Sequence, residues 1–304
     1  MATGPHMPRL GLQARLATAI GLALAASAVE IVGSSLSGSL ALLSDAGHVG
    51  TDALALGLSL WALRISERPH TPRMSFGYHR SEVLAALANA VLLIVLAAFL
   101  VWRAYGRYQS PEAVVGGVML LVGLAGLAAN ITMLALLRNW SRRNINARSA
   151  FLHAYGDTLG SLGVVAGAVV IQFTALYVVD VVVALFIVGL ILVSAARLFR
   201  EGGRIVLEAS PAEAPPAEVA KAILGIPGVK DVHDLHVWTV TSGLFALTGH
   251  ILVSGETTVS EASRIVDAIQ ADLRQRFGIA HATLQVDSLQ DEMIRPSDVT
   301  SQRR

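Results

Sequence analysis

Residues 113–137 read AVVGGVMLLVGLAGLAANITMLALL, without a charged side chain from end to end. A helix needs about 20 apolar residues to cross the hydrocarbon layer of a bilayer, so this run predicts a membrane span. Five further segments carry the same pattern, at 13–34, 39–63, 82–102, 149–172 and 176–199. The sequence therefore predicts a membrane all-α six-helix bundle over residues 13–207. Composition agrees: 54% hydrophobic and 15% charged residues in a 304-residue chain lie outside the range of soluble domains. Between the first two spans stand Ser34, Ser35, Ser37, Gly38 and Ser39, a turn-forming cluster that predicts a tight hairpin.

Charge divides the chain. Basic residues outnumber acidic ones up to residue 200, and the balance reverses from residue 201 onward. Within the bundle, arginines gather at the N-terminus, between the second and third spans, between the fourth and fifth, and after the sixth. The opposite side holds only Arg103 and Arg107. Because short cytoplasmic loops retain Lys and Arg, both termini are expected in the cytoplasm. A bacterial inner membrane suits the short loops and the preference for arginine.

After the Pro211, Pro215, Pro216 linker the tail reads as a separate α+β unit over 208–290. A helix is expected at 216–224, strands at 229–240 and 244–253 around a Ser242-Gly243 turn, an amphipathic helix at 259–276 and a strand at 282–286. The order is αββαβ. Residues 1–12 form an N-terminal tail, in which Gly4-Pro5-His6-Met7 has the look of a cloning remnant, and 291–304 read as a disordered end.

Several function classes fall away. A net charge of +1 without a basic run gives nucleic acid no footprint. With no cysteine, thiolate metal sites, cysteine nucleophiles and disulfides are excluded. Any metal must be held by His, Asp and Glu.

Ionisable groups inside a span are costly unless paired, coordinated or hydrated, which makes each a functional candidate. His-x-x-x-Asp occurs twice, as His48-Val49-Gly50-Thr51-Asp52 in the second span and His153-Ala154-Tyr155-Gly156-Asp157 in the fifth. Residues four apart share a helix face. Two such pairs on facing helices offer two imidazoles and two carboxylates, the donor set of a tetrahedral Zn²⁺ site. One pair alone would read as a hydrogen-bonded contact; the duplication favours metal. The same groups can hold protons when no dication is present, so exchange of metal against protons is chemically open.

Asp45, seven residues before Asp52, is expected either to line the access path or to be hydrogen-bonded near the hairpin. Glu30 is expected either to guide ions or, the favoured reading, to pair near the outer surface, and Asn89 and Asn130 to donate hydrogen bonds between helices. In the tail, His233, His250, His281 and Asp287 could meet across neighbouring strands as a second metal site, or stand as half-buried strand histidines. His233 and His236 point to opposite faces of a regular strand, so one site cannot take both without a bulge.

These residues resemble the cation diffusion facilitator family, zinc transporter branch, from about residue 14 to 288. The resemblance is carried by Ser37-Gly38-Ser39-Leu40-Ala41-Leu42-Leu43-Ser44-Asp45-Ala46-Gly47-His48 with Asp52, by Phe76-Gly77-Tyr78-His79-Arg80-Ser81-Glu82, by Asn144-Ile145-Asn146 leading to His153 and Asp157, and by Val232-His233-Asp234-Leu235-His236-Val237-Trp238. It implies a homodimeric exporter in the lipid bilayer that moves Zn²⁺ out of the cytoplasm in exchange for protons, by alternating access. It also implies that His48, Asp52, His153 and Asp157 form the transport site. The tail would have a metallochaperone-like αββαβ fold that dimerises and binds regulatory metal through His233, His250, His281 and Asp287.

Arg80 and Glu208 resemble positions that form a charge interlock near the membrane surface. Met74 and Tyr78 stand where some relatives have further ligands, so no loop site is assigned, and His70 and His79 read as solvated or interface residues. Residues 138–148 contain no histidine, so delivery of metal from a His-rich loop is not expected. Cd²⁺, Co²⁺ or Ni²⁺ would suit the same donors. The rival readings are an intramembrane metalloenzyme, for which no nearby general base is present, and a membrane-anchored metal sensor.

Overall fold

The computed structural model describes residues 9–141 and 145–288; within them the side chains of 9–20, 22–23, 136–150 and 152–153 lie outside the description. The expected tails at 1–8 and 291–304 also lie outside it. The chain forms two compact units. The first comprises residues up to Ile65 together with Leu84–Arg200, and the second comprises Ser66–Val83 and the chain from Glu201 onward.

The first unit is built from six helices, α1 (Arg9–Ser37), α2 (Leu40–Ser66), α3 (Ser81–Gln109), α4 (Gly116–Ser141), α5 (Ile145–Thr174) and α6 (Val178–Val206). They fall where the apolar runs placed them. Among the described residues, α3, α6, the 116–135 part of α4 and the 154–174 part of α5 are long and apolar enough to cross a membrane. Large apolar side chains such as Leu121, Phe173, Val182 and Val193 point outward. The interior is filled by smaller ones, including Ala97, Ala104, Ala168 and Ala184, around Leu93, Leu100, Met119, Ile187 and Ile191. Glycines seat the helices closely: a Cβ on Gly123 would lie 3.0 Å from Val164, and one on Gly167 would lie 2.9 Å from Val183. In lipid, where burying apolar surface gives little drive, such close backbone approach is what holds helices together.

The α1–α2 hairpin turns at Gly38, whose φ of 70° belongs to the left-handed region. Arg107 donates to the Gly38 carbonyl at 2.8 Å. The exposed N–H groups that begin α2 are met from two sides. Ser39 Oγ accepts from Leu42 N at 3.1 Å. Asp180, fully buried at the start of α6, accepts from Ser39 Oγ at 2.6 Å, Leu40 N at 2.6 Å and Ala41 N at 3.1 Å. One helix thus caps another through an acid about 140 residues away in sequence.

The second unit contains α7 (Pro216–Leu224), β1 (Asp231–Thr241), β2 (Leu244–Val253), α8 (Val259–Phe277) and β3 (Ile279–Ser288), in the expected αββαβ order. The sheet runs β1-β2-β3. β1 and β2 are antiparallel around Gly243, while β2 and β3 are parallel because α8 crosses between them. α8 begins with a reciprocal cap between Thr258 and Glu261 and ends at Gly278, which has a left-handed φ of 69°. Val219 and Ile223 of α7 and Ile269 and Leu273 of α8 bury against Val237, Leu247, Ile251 and Val253 on one face of the sheet.

Residues 66–83 and the end of α6 also belong to the second unit. Glu82 explains part of this, because it accepts from Ser66 Oγ at 3.2 Å and from Thr241 Oγ1 at 3.0 Å. Arg80 joins Glu208 at 2.9 Å. Phe76 meets the His281 ring edge-on, with centroids 6.3 Å apart.

Candidate metal centre

In the first unit, α2 and α5 bring His48, Asp52 and Asp157 together. His48 is 6% exposed, and its Nδ1 stands 3.7 Å from Asp52 Oδ2 on the same helix face while its Nε2 stands 3.5 Å from Asp157 Oδ1 on the facing helix. One donor atom from each of the three lies within 4.8 Å of the others. Donor atoms about 2 Å from a shared ion would have such separations, so the set fits a dication with little rearrangement. Two carboxylates supply the charge that balances it, and the imidazole supplies a borderline nitrogen donor. His153 lies on α5 four residues before Asp157, and its side chain lies outside the described residues.

Asp45 is 2% exposed and lies one turn from His48 on α2. Its Oδ2 accepts from Ser161 Oγ at 2.9 Å, and Ser161 Oγ accepts in turn from Asn130 Nδ2 at 2.9 Å. Asn130 thus acts between helices as expected. Glu30 differs from expectation: it is 3% exposed, and no salt bridge links it to a basic group among the described residues. It stands on a polar buried face of α1, with Ser27, Ser34 and Ser37, while Leu24, Val29, Val32 and Leu36 are exposed.

In the second unit, helices cover one face of the sheet and the imidazoles stand on the other. His233 pairs with His250 across β1 and β2, with ring centroids 5.2 Å apart. Asp287 of β3 completes the group, its Oδ2 lying 2.9 Å from His250 Nδ1 and 3.5 Å from His233 Nε2. Burial pushes the Asp287 carboxyl up, but hydrogen bonds from Gln285 and His250 and the two neighbouring imidazoles outweigh it and hold the group below the usual carboxylate range. It is therefore ionised and ready to ligate at neutral pH.

His281 is not brought into this group. It lies on the same face, yet it pairs with Ala246, four residues along β2 from His250, which at strand rise is about 13 Å away. The register that the crossover helix imposes on β3 was invisible in residue spacing.

A bulge between His233 and His236 lets three residues of β1 oppose two of β2. Asp234 sits in it with a φ of 49°. His236 therefore shares a sheet face with His233, but its Nε2 engages Asp234 Oδ1 at 2.9 Å. Asp234 Oδ2 in turn lies 3.9 Å from His250 Nε2, which makes it a neighbour of the site that alternation could not identify.

A family model described as the cation efflux transmembrane domain matches residues 16–207, and one described as the cation efflux protein, cytoplasmic domain, matches 211–289. The chain is 38% identical over 258 residues to the metal cation efflux system protein CzcD of Cupriavidus metallidurans, covering 85% of this chain and 81% of that one. It is 38% identical over 287 residues to the zinc transporter ZitB of Escherichia coli, covering 94% and 90% respectively. Over 262 residues it is 33% identical to a cadmium, cobalt and zinc/H⁺-K⁺ antiporter of Bacillus subtilis, covering 86% and 84%. Among solved structures, the metal-bound C-terminal domain of the Cupriavidus CzcD transporter aligns at 41% identity and a TM-score of 0.21, over 23% of this chain and 94% of that one. With both domain matches in order along nearly the whole chain, the protein belongs to the cation diffusion facilitator family and is a membrane cation exporter, not an enzyme.

Proposed function

We propose that this chain is a Zn²⁺/H⁺ antiporter that removes zinc from the cytoplasm through His48, Asp52, His153 and Asp157. The observation that carries this reading is His48, held between Asp52 of its own helix and Asp157 of the facing one. A neutral imidazole and two carboxylates bind a dication, whereas the same atoms protonated do not, so loading by metal and loading by protons exclude each other. Alternating exposure of one such site to the two sides couples the two flows. Relatives described as a zinc transporter and as a cadmium, cobalt and zinc/H⁺-K⁺ antiporter support it. The reading is of six spans in a bacterial inner membrane with both termini cytoplasmic, supported by the arginine asymmetry.

The deciding experiment is proton flux from purified protein in liposomes on addition of Zn²⁺, Cd²⁺, Co²⁺ or Mn²⁺. Zinc-driven proton release is the expected result, with Mn²⁺ the weakest. Metal uptake without proton movement would reject antiport. Acidifying the metal-loading side should slow uptake, because protons then compete for the donors that the ion requires; a rate that rises with acid would contradict the shared site.

The chain acts as a homodimer in this reading, with His233, His250 and Asp287 as a regulatory metal site in the tail. His281 stands apart from it, and Arg80 with Glu208 serves as the charge interlock. His250→Ala should lower the zinc bound per protomer by one and leave transport through the bundle measurable. Complete loss of transport in that variant would favour the tail as the seat of function, as in a membrane-anchored sensor.

A further inference from the structure

A carboxylate among apolar helices persists there only with a proton, a cation or a set of donors to hold it. Besides the residues already assigned, two carboxylates in the first unit are almost wholly buried, Glu30 of α1 and Asp45 of α2. Asp45 is oriented from outside: Asn130 donates to Ser161, and Ser161 donates to Asp45 Oδ2. Its other oxygen, Oδ1, has no hydrogen-bond partner among the described residues, and neither has Glu30 Oε2. Glu30 and the serine that holds Asp45 both face Gly126 of α4. A Cβ on Gly126 would lie 2.6 Å from Glu30 Oε1 and 3.9 Å from Ser161 Oγ, so the bare surface of α4 at that glycine is where Glu30 approaches the Ser161–Asp45 pair.

The position of this cluster along the bundle is fixed by the helices. Asp45 precedes His48 by three residues on α2, which begins at Leu40, and Ser161 follows Asp157 by four on α5, which ends at Thr174. Both steps lead one turn, about 5.4 Å, toward the end of the bundle where α1 turns into α2 and α5 into α6. The cluster thus lies one helical turn from the His48 site toward that end of the bundle.

We propose that Glu30, Asp45 and Ser161 form a second, all-oxygen station for a divalent cation, one helical turn beyond His48, Asp52 and Asp157. Glu30 contributes a carboxylate, Asp45 its Oδ1 and Ser161 its hydroxyl, while Asn130 positions Ser161 in the manner of an outer-shell partner. Two carboxylates neutralise a dication, but without imidazole the station holds a borderline ion less tightly than the His48 site does. An ion stepping there is already partly released. This proposal rests on the reading of His48, Asp52 and Asp157 as the ion's main site.

The test uses Mn²⁺, a paramagnetic ion that accepts all-oxygen sites, and the full chain carrying His48→Ala, Asp157→Ala and His250→Ala. Electron paramagnetic resonance should show one weakly bound Mn²⁺ per protomer. Adding Glu30→Gln should weaken that binding at least about tenfold, the loss typical of a disturbed metal shell, and Glu30→Asp should restore part of it. With the His48 site intact, Glu30→Gln should retain tight zinc binding and slow zinc turnover in liposomes. Size-exclusion elution and tryptophan emission matching the parent protein exclude misfolding, and Ser161→Ala supplies a second, milder variant. Mn²⁺ binding unaltered by Glu30→Gln overturns the station. So does a variant that shifts only the pH profile of transport, because Glu30 would then be a proton carrier alone. Failure of the intact chain to bind zinc at His48 would instead sink the reading on which the station rests, and the two failures are separately visible.

Discussion

Asp157→Ala is expected to abolish zinc accumulation in inverted membrane vesicles, lowering the initial rate at least about 100-fold, or about 3 kcal/mol in ion binding at 1.4 kcal/mol per decade. Asp157 is the carboxylate that α5 presents to His48 Nε2, and in the proposed site its removal would leave an ion only the donors of α2 and His153. It also removes one of the two negative charges that make a dication tolerable among apolar helices. Alanine is small and suits a helix, so the variant should retain the elution volume and melting behaviour of the parent protein. Uptake at the parental rate would reject the assignment outright. Asp52→Ala should behave alike, whereas His48→Asp, which keeps a ligand but exchanges nitrogen for oxygen, should preserve transport and broaden the choice of ion.

The second large effect concerns stability and does not involve metal. Asp180→Ala strips the start of α2 of its acceptor and leaves the Ser39 hydroxyl and the Leu40 and Ala41 N–H groups buried without it. Hydrogen bonds to a charged group are each worth about 1.5–3 kcal/mol, and orphaned buried donors add their own penalty. A loss of about 3–5 kcal/mol is expected, visible as a lowered unfolding temperature in detergent. Asp180→Asn keeps one carbonyl acceptor and should recover part of it. A melting curve unchanged by Asp180→Ala would show that water replaces the carboxylate at no cost.

Much of this architecture is written in one-dimensional patterns. Apolar runs located all six helices to within several residues, because a bilayer imposes length and hydrophobicity directly on sequence. Strand alternation and the Ser242-Gly243 turn located the tail's elements, and the doubled His-x-x-x-Asp pointed to α2 and α5, where His48, Asp52 and Asp157 come together among the described residues. What escaped depends on register and on partners distant in the chain. His281 shares a sheet face with His233 and His250, and only the β2–β3 pairing shows that it stands too far along the strand. The bulge at Asp234 reversed the alternation that separated His233 from His236. Asp180 carried a usable signal, an acid among apolar residues, but its role as a cap for α2 depends on a contact 140 residues away in sequence. Ser161 and Glu82 gave no comparable signal, since a hydroxyl within a span or an acid in the first turn of a helix has many ordinary uses.

The Asp180 clamp also fixes where α2 can pivot. Its first turn is fastened to α6, so a change in the spacing between α2 and α5 is most easily made by tilting α2 about the clamped end. The helix then behaves as a lever: a tilt of about 5° displaces His48, about 12 Å from the fulcrum, by roughly 1 Å, and displaces Ile65 by roughly 3 Å. A swing too small to disturb the packed end would thus part His48 from Asp157 while carrying the far end of α2 about three times as far.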